Sequence, residues 1–282
     1  MARINLAGKT VVITGASGGI GSECAVAFAE KGARLVLSGR DREALEQTAA
    51  RVRGIGSEAH VVPAEVKNHE EVRGLVERAL ELTGGLHVML LGAGFGVLGR
   101  VESLSLESFR EQMEVNFLGA LSGFYAALPH FIRQGSGEFI ILNSLSGRAA
   151  LPYNAPYSAS KFALWGFADC VRCELRRFNI NLLSVYPYFV KTRFQGRIQS
   201  PDFQVPEDLP RKMLGQSPER LARRIVRACE KRKGELLCTP LGWIAPRFFA
   251  ASYRLSELVR RLSAPFIRKM LAEKRSAPAN EE

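Results

Sequence analysis

The sequence predicts a doubly wound α/β fold: a mainly parallel sheet with helices on both faces, forming a single domain with a C-terminal helical extension. Two observations carry this. Short apolar, β-rich runs alternate with amphipathic helical stretches through the first 240 residues, the pattern of right-handed βαβ crossovers. The first run leads straight into a glycine-rich turn and then a helix, and later runs also close on glycine or polar turns. In such sheets those turns share the edge where ligands bind.

Taken in order, Thr10–Ile13 is the first strand, running into Thr14-Gly15-Ala16-Ser17-Gly18-Gly19-Ile20-Gly21. Ile20, Cys24, Ala27 and Phe28 then recur at helical spacing. Strand, glycine turn and helix are what a dinucleotide site requires: the glycines admit a pyrophosphate, and the helix start offers unpaired N–H groups. Ala33–Ser38 is the second strand, closing on Gly39-Arg40. No carboxylate precedes Arg40 to take a free ribose 2′-hydroxyl, and an arginine suits a 2′-phosphate, so the reading is NADP rather than NAD. Asp41 is read as opening the next helix, 41–55. A strand from Ala59 ends at Glu65-Val66, a helix covers 69–83, and Val88–Leu91 closes on Gly92-Ala93-Gly94. A long helical pattern over 105–131 contains Asn116, whose apolar flanks suggest a buried amide. Strand 138–142 ends at Asn143-Ser144, helix 156–178 follows, and strand 180–185 runs into Tyr186-Pro187.

The helix at 156–178 carries the chemistry. Tyr157 and Lys161 are four residues apart and leave one helix face together. A phenol titrates near ~10, and a nearby ammonium favours its anion. Tyr157 is therefore a candidate general acid/base, Lys161 its tuner, and Ser144 a hydroxyl to hold a substrate oxygen.

Composition excludes several alternatives. The 282 residues are 46% hydrophobic and 24% charged, as in an ordinary globular chain. Residues 1–9 lack the apolar run of a signal peptide, and no stretch has the eighteen uninterrupted apolar residues of a membrane-spanning helix. Five scattered cysteines argue for a reducing, cytoplasmic setting. Cys170 and Cys173 form a CxxC without a second pair or a nearby His, so they are read as buried helix thiols and no metal is implied. The net charge of +11 is concentrated in residues 211–275, which hold 17 Lys/Arg against 5 Asp/Glu.

Over residues 5–240 the chain resembles the classical short-chain dehydrogenase/reductase family. The signals are Thr14-Gly15-x-x-x-Gly19-Ile20-Gly21, Gly92-Ala93-Gly94, Asn116, Ser144, Tyr157-x-x-x-Lys161 and Pro187-x-x-Val190-x-Thr192, in family order. The resemblance implies a Rossmann fold, a nicotinamide cofactor and an Asn116-Ser144-Tyr157-Lys161 tetrad. It implies that Tyr157 exchanges a proton with the substrate oxygen, Ser144 holds that oxygen, Lys161 binds the nicotinamide ribose and Asn116 anchors a relay water. Gly15, Ser17, Gly18, Gly19, Ile20, Gly21, Arg40, Glu65, Val66, Gly92, Ala93 and Gly94 would line the cofactor, with Pro187, Val190 and Thr192 along its nicotinamide. Three positions depart from the family pattern. Leu91-Gly92 stands where two asparagines are usual, Glu65 where an Asp is usual, and Tyr188 where a glycine follows the proline. The reaction implied is NADP(H)-dependent interconversion of a secondary alcohol and a ketone; the alternative is an NADP(H)-binding sensor or scaffold without turnover. The family also implies a homodimer or tetramer.

Residues 193–217 fall where the family places its substrate lid, and residues 1–240 make the catalytic domain. A helix over 218–231 is opened by Ser217-Pro218, and 235–238 is a last strand. The extension, 241–275, carries an apolar stripe (Phe248, Phe249, Leu255, Leu258, Val259, Leu262) with Arg247, Arg254, Arg260 and Arg261 elsewhere; beyond Pro265 the theme repeats. Two readings stand: a helix lying in a membrane interface, or one packed over the substrate opening or a partner subunit. Aromatics at packing spacing without a nucleic-acid module argue against nucleic acid. Such a tail resembles family members that reduce lipid-like or steroid-like ketones at membranes, which points to an apolar substrate. Residues 276–282 are expected to be disordered.

Overall fold

The computed structural model describes residues 3–192, 194, 196, 198–206, 215–239 and 253–273. Seven strands form one parallel sheet: β1 (Thr10–Thr14), β2 (Arg34–Ser38), β3 (Ala59–Val61), β4 (Val88–Leu91), β6 (Gly137–Leu142), β7 (Ile180–Tyr186) and β10 (Glu235–Leu237). Their spatial order is β10-β7-β6-β4-β1-β2-β3, so the winding reverses between β1 and β4 and opens a crevice at the strands' carboxyl ends. Two short pairs lie outside it: β5 (Gly96–Val97) with β8 (Ile198–Gln199), and β9 (Phe203–Gln204) with β11 (Ala272–Glu273).

Strand alternation sends neighbours to opposite faces. Val11 and Ile13 of β1 join a core with Cys24 and Phe28 of α1 (Gly19–Ala29), Leu45 of α2 (Arg42–Arg53) and Ile225 of α7 (Pro218–Glu230). Val12 between them joins the other core, with Leu75 of α3 (His69–Thr83), Phe124 of α5 (Gly119–Gln134) and Leu164 of α6 (Ala155–Leu175). Helix starts follow local chemistry. Asp41 accepts from the Ala44 N–H at 3.0 Å, as its reading as a helix opener requires. Asn68 accepts from Glu70 and Glu71, and Ser217 accepts from Arg220.

Two expectations are corrected. The predicted helix over 105–131 is α4 (Leu106–Gln112), a π-helical turn (Met113–Leu118) and α5. Cys170 and Cys173 are exposed, because α6 turns Leu164, Ala168 and Leu175 inward and leaves the CxxC on its outer side. The run Leu106–Gln134 has the length and hydropathy of a membrane span, yet its Gly123, Phe124, Ala127 and Phe131 pack into the core.

The extension forms one helix, α8 (Tyr253–Met270), that runs through Pro265. Its Ile267 and Met270, with Leu271, pack on Phe203 and Val205 of the lid and on Leu98, Tyr153 and Phe189. β11 then pairs antiparallel with β9, so the extension joins in one small sheet with the segment expected to form the lid. Residues Trp243–Phe249, the lid residues 207–214 and the tail 276–282 lie outside the described residues.

Candidate active site

The glycine turn sits at the carboxyl end of β1. Gly15 has φ +73° and Gly19 φ +61°, a region favouring glycine. A Cβ on Gly15 would lie 2.8 Å from Ala93 N, and one on Gly21 would overlap the Gly15 carbonyl, so the turn is packed against the β4 loop. Gly18 stands before α1 without any side-chain cap, leaving the helix start to bind an anion. Ile20 packs on the core below, and Thr192 lies beside Gly19. These features fit a dinucleotide: a cradle that side chains would fill, closed by uncapped N–H groups.

At the end of β2, Ser17 packs against Gly39, and the exposed Arg40 guanidinium lies 3.7 Å from Glu65. Arg40 and Glu65, chosen separately from the sequence, thus meet. Val66 is buried against Gly119. The substitution Leu91-Gly92 has a physical accommodation. Leu91 is buried where α5 offers Gly123, and Gly92 N–H donates to Thr14 Oγ1 at 3.1 Å, tying β4 to β1 without amides.

Asn116 is fully buried in the π-helical turn, a device often found at functional sites. Its Oδ1 accepts from Phe95 N at 3.0 Å, and its Nδ2 donates to Phe95 O and to Ser160 Oγ at 3.1 Å. Gly94 approaches the same amide, where a Cβ would lie 2.9 Å from Oδ1. Asn116 therefore braces the β4 loop against α6.

Ser144 ends β6 and caps a short 3-10 turn (Leu145–Gly147), its oxygen accepting from Ser146 N at 3.1 Å. Its hydroxyl hydrogen-bonds the Tyr157 phenol, which stabilises the anion, but burial dominates and pushes that phenol up. Lys161 Nζ sits 5.7 Å from the Tyr157 ring centre and donates to Leu142 O at 2.9 Å. Burial lowers its pKa to about 8. The expected downward pull of Lys161 on Tyr157 is thus outweighed in this structure. The ammonium is spent on a carbonyl, and desolvation wins.

On the nicotinamide side, Pro187 O accepts from Leu145 N at 2.9 Å and Val190 bridges to Gln216. Tyr188 is half-buried and stacks edge-on against Phe189 at 4.8 Å. The Phe194 ring comes to 6.3 Å from that of Tyr157, and the rings of Tyr153 and Phe203 meet at 5.4 Å.

Sequence reasoning missed three residues. Gln112 is fully buried, donating to Phe95 O and accepting from Val97 N, a second brace on the β4 loop. Ser160 joins Asn116 to the Tyr157 turn by donating to Tyr157 O at 2.8 Å. Tyr153 holds φ +65° and accepts from Gly99 N at 2.9 Å. Of these, only the placement of Ser160 between Tyr157 and Lys161 left a signal; the others depend on tertiary approach. Phe194, which the sequence places in the apolar lining of the lid segment, faces Tyr157.

Residues 9–202 match the family described as short chain dehydrogenase. This chain is a short-chain dehydrogenase. It is 30% identical over 243 residues to Dehydrogenase/reductase SDR family member 7B of Xenopus laevis, covering 84% of this chain and 75% of that protein. It is 33% identical over 216 residues to an uncharacterized oxidoreductase, Lmo0432, of Listeria monocytogenes, covering 76% and 87%. A crystal structure of a short-chain type dehydrogenase/reductase from Mycobacterium marinum superposes with TM-score 0.73 at 26% identity, covering 82% of this chain and 93% of that one. Membership makes it an oxidoreductase of a nicotinamide-using family with a Rossmann-like sheet. The glycine cradle and the Ser144-Tyr157-Lys161 cluster described above lie in the matched region.

Proposed function

We propose that this protein is an NADP(H)-dependent oxidoreductase that interconverts a secondary alcohol and a ketone, working on an apolar, lipid-like substrate in the reductive direction. The observation that carries this is Tyr157, hydrogen-bonded to Ser144 and held as a neutral phenol by burial. A neutral phenol is a proton donor. The bound cofactor would supply the hydride to the carbonyl carbon, and Tyr157 gives its proton to the carbonyl oxygen while Ser144 holds that oxygen. Lys161, a buried ammonium beside the tyrosine, would orient the nicotinamide ribose and stabilise the phenolate left as the proton departs. Asn116 keeps the β4 loop in place behind them.

The 2′-phosphate preference rests on Arg40, exposed at the end of β2 with no carboxylate in Ser38-Gly39. The apolar substrate rests on Phe194 beside Tyr157 and on the apolar cluster of Phe203, Leu98, Phe189 and Tyr153. A homodimer or tetramer fits the exposed stripe of Leu118, Tyr125 and Ile132, spaced seven residues apart. A cytoplasmic setting fits five unpaired cysteines.

The test is Tyr157→Phe against a panel of aliphatic and lipid-like ketones with NADPH. Turnover should fall by at least about 10³-fold while NADPH affinity changes little. Retained turnover would remove the proton role. A wild type that binds NADPH and reduces nothing in the panel would favour a sensor or scaffold instead.

A further inference from the structure

Among the described residues, the fold packs against one of α8's two faces. Val259, Arg260, Ser263, Ala264, Ile267 and Met270 are half-buried and Leu271 is buried, marking the side of α8 that lies on the lid and its surroundings. The opposite side carries Leu258, Leu262 and Phe266, which stay 50%, 70% and 59% exposed. They recur every fourth residue, so they form one apolar ridge along the helix. Beside it run Arg261, Pro265, Arg268 and Lys269, also exposed. These four, with Tyr153, Ala264 and Leu271, line an open cavity of about 710 Å³. From residue 258 to 271 the chain holds four cations and no carboxylate; the nearest acid, Glu257, pairs with Arg261 at 2.6 Å.

An apolar ridge flanked by a cationic cavity is what an amphipathic helix presents to an anionic lipid surface. The ridge enters the acyl boundary and the cations meet the phosphates. Glu257 offsets only Arg261, so the ridge keeps an excess of positive charge, which favours an anionic lipid surface over a neutral protein face. We propose that the outward side of α8 is a docking surface for an anionic lipid bilayer. Leu258, Leu262 and Phe266 insert there, while Arg261, Arg268 and Lys269 take lipid phosphates in the cavity between them and Tyr153. Because the reverse side of the same helix packs on the lid and β11 is paired to β9, docking brings the lid and the Tyr153 side of the cleft to the membrane.

The experiment is co-sedimentation of the full-length protein with phosphatidylcholine vesicles, with and without about one-third phosphatidylglycerol. Wild type should pellet with the anionic vesicles, bind the neutral ones at least about tenfold more weakly, and lose affinity as salt is raised. Leu258→Ser/Leu262→Ser/Phe266→Ser should weaken partitioning by about 100-fold. Leu106→Ser, at an equally exposed leucine on α4, should leave it unchanged. Arg268→Glu/Lys269→Glu should abolish the preference for anionic lipid, which keeps a second arm if the triple variant folds poorly. No binding by wild type, equal binding to both lipids, or unchanged binding by a folded triple variant would each overturn the proposal. The last would make the ridge a contact between copies of this chain or with another protein. Sedimentation is read without turnover, so it fails or holds independently of the oxidoreductase assignment.

Discussion

Arg40 is the residue on which the choice between the two nicotinamide dinucleotides turns, and its geometry sets the size of the expected effect. A charge-assisted contact to a phosphate contributes about 1.5–3 kcal/mol. The Arg40 side chain is 76% exposed, so solvent screening holds the gain near the lower end, about 1.5 kcal/mol, or about tenfold in affinity. Arg40 also sits 3.7 Å from Glu65, which it partly neutralises. Removing it leaves that carboxylate to repel a 2′-phosphate, which adds to the loss. Arg40→Ala should therefore weaken NADPH by about tenfold or somewhat more and leave NADH within about twofold, because NADH lacks the phosphate. The assay is titration of cofactor fluorescence at two salt concentrations. The NADPH preference should shrink as salt rises, since an exposed pair is screened within about 10 Å at 0.1 M. Equal affinities in the wild type, or an equal loss for both cofactors in the variant, would refute the reasoning and reassign Arg40 to holding Glu65.

Two further predictions concern the frame around the site. Gly123→Ala would place a Cβ 2.5 Å from Leu91 Cδ2 and 2.9 Å from Met89 Cε, an overpacking that should cost about 1–3 kcal/mol; combined with Leu91→Ala the two losses should be clearly less than additive in urea unfolding, and strict additivity would mean that Gly123 does not exist to admit Leu91. His87 is half-buried, and burial, then Lys9, Arg34 and His130, lower its pKa to about 4, while its Nδ1 accepts from Thr10 N at 3.1 Å. The folded value lies below the unfolded value of about 6.5, so the unfolded chain takes up the proton first; the contribution is complete above about pH 6.5 and lost as pH falls toward about 4. After discounting for solvent screening it amounts to about 1 kcal/mol, and the slope of unfolding free energy in that window should flatten in His87→Gln.

How far the chain could be read follows from how local each signal is. The strands, the glycine turn and the Asp41 cap are written in contiguous residues, so their physics needs no partner: alternation, φ above zero and a capping oxygen are properties of the segment itself. Asn116 shows the limit. Its burial could be inferred from its flanks, but the π-helical turn that aims both ends of its amide at Phe95 arises from the meeting of α4, the β4 loop and α6, which no helical periodicity encodes. Leu91 reads as a loss against the family pattern until Gly123, thirty-two residues later, is seen to make room for it.

The Tyr157–Lys161 pair marks a different boundary. Spacing put both groups on one face correctly, yet the sign of the phenol's shift depends on two things that spacing does not carry: how deeply the pair is buried and what else the ammonium holds. With Nζ bonded to the Leu142 carbonyl and Phe194 beside the phenol, desolvation decides, and the tyrosine rests as an acid. Burial also keeps the lysine close to losing its charge, so each group sits nearer its neutral form than the bare sequence implies. The extension repeats the lesson on a larger scale. Its amphipathic pattern could not say which apolar side meets protein; once Ile267, Met270 and Leu271 are fixed on Phe203 and Val205, Leu258, Leu262 and Phe266 are left facing away from them, beside cations of which only Arg261 pairs with a neighbouring carboxylate on this helix. Packing one side of α8 on Phe203 and Val205 therefore does not exclude a membrane-facing role for the other side, because it is what leaves that side outward.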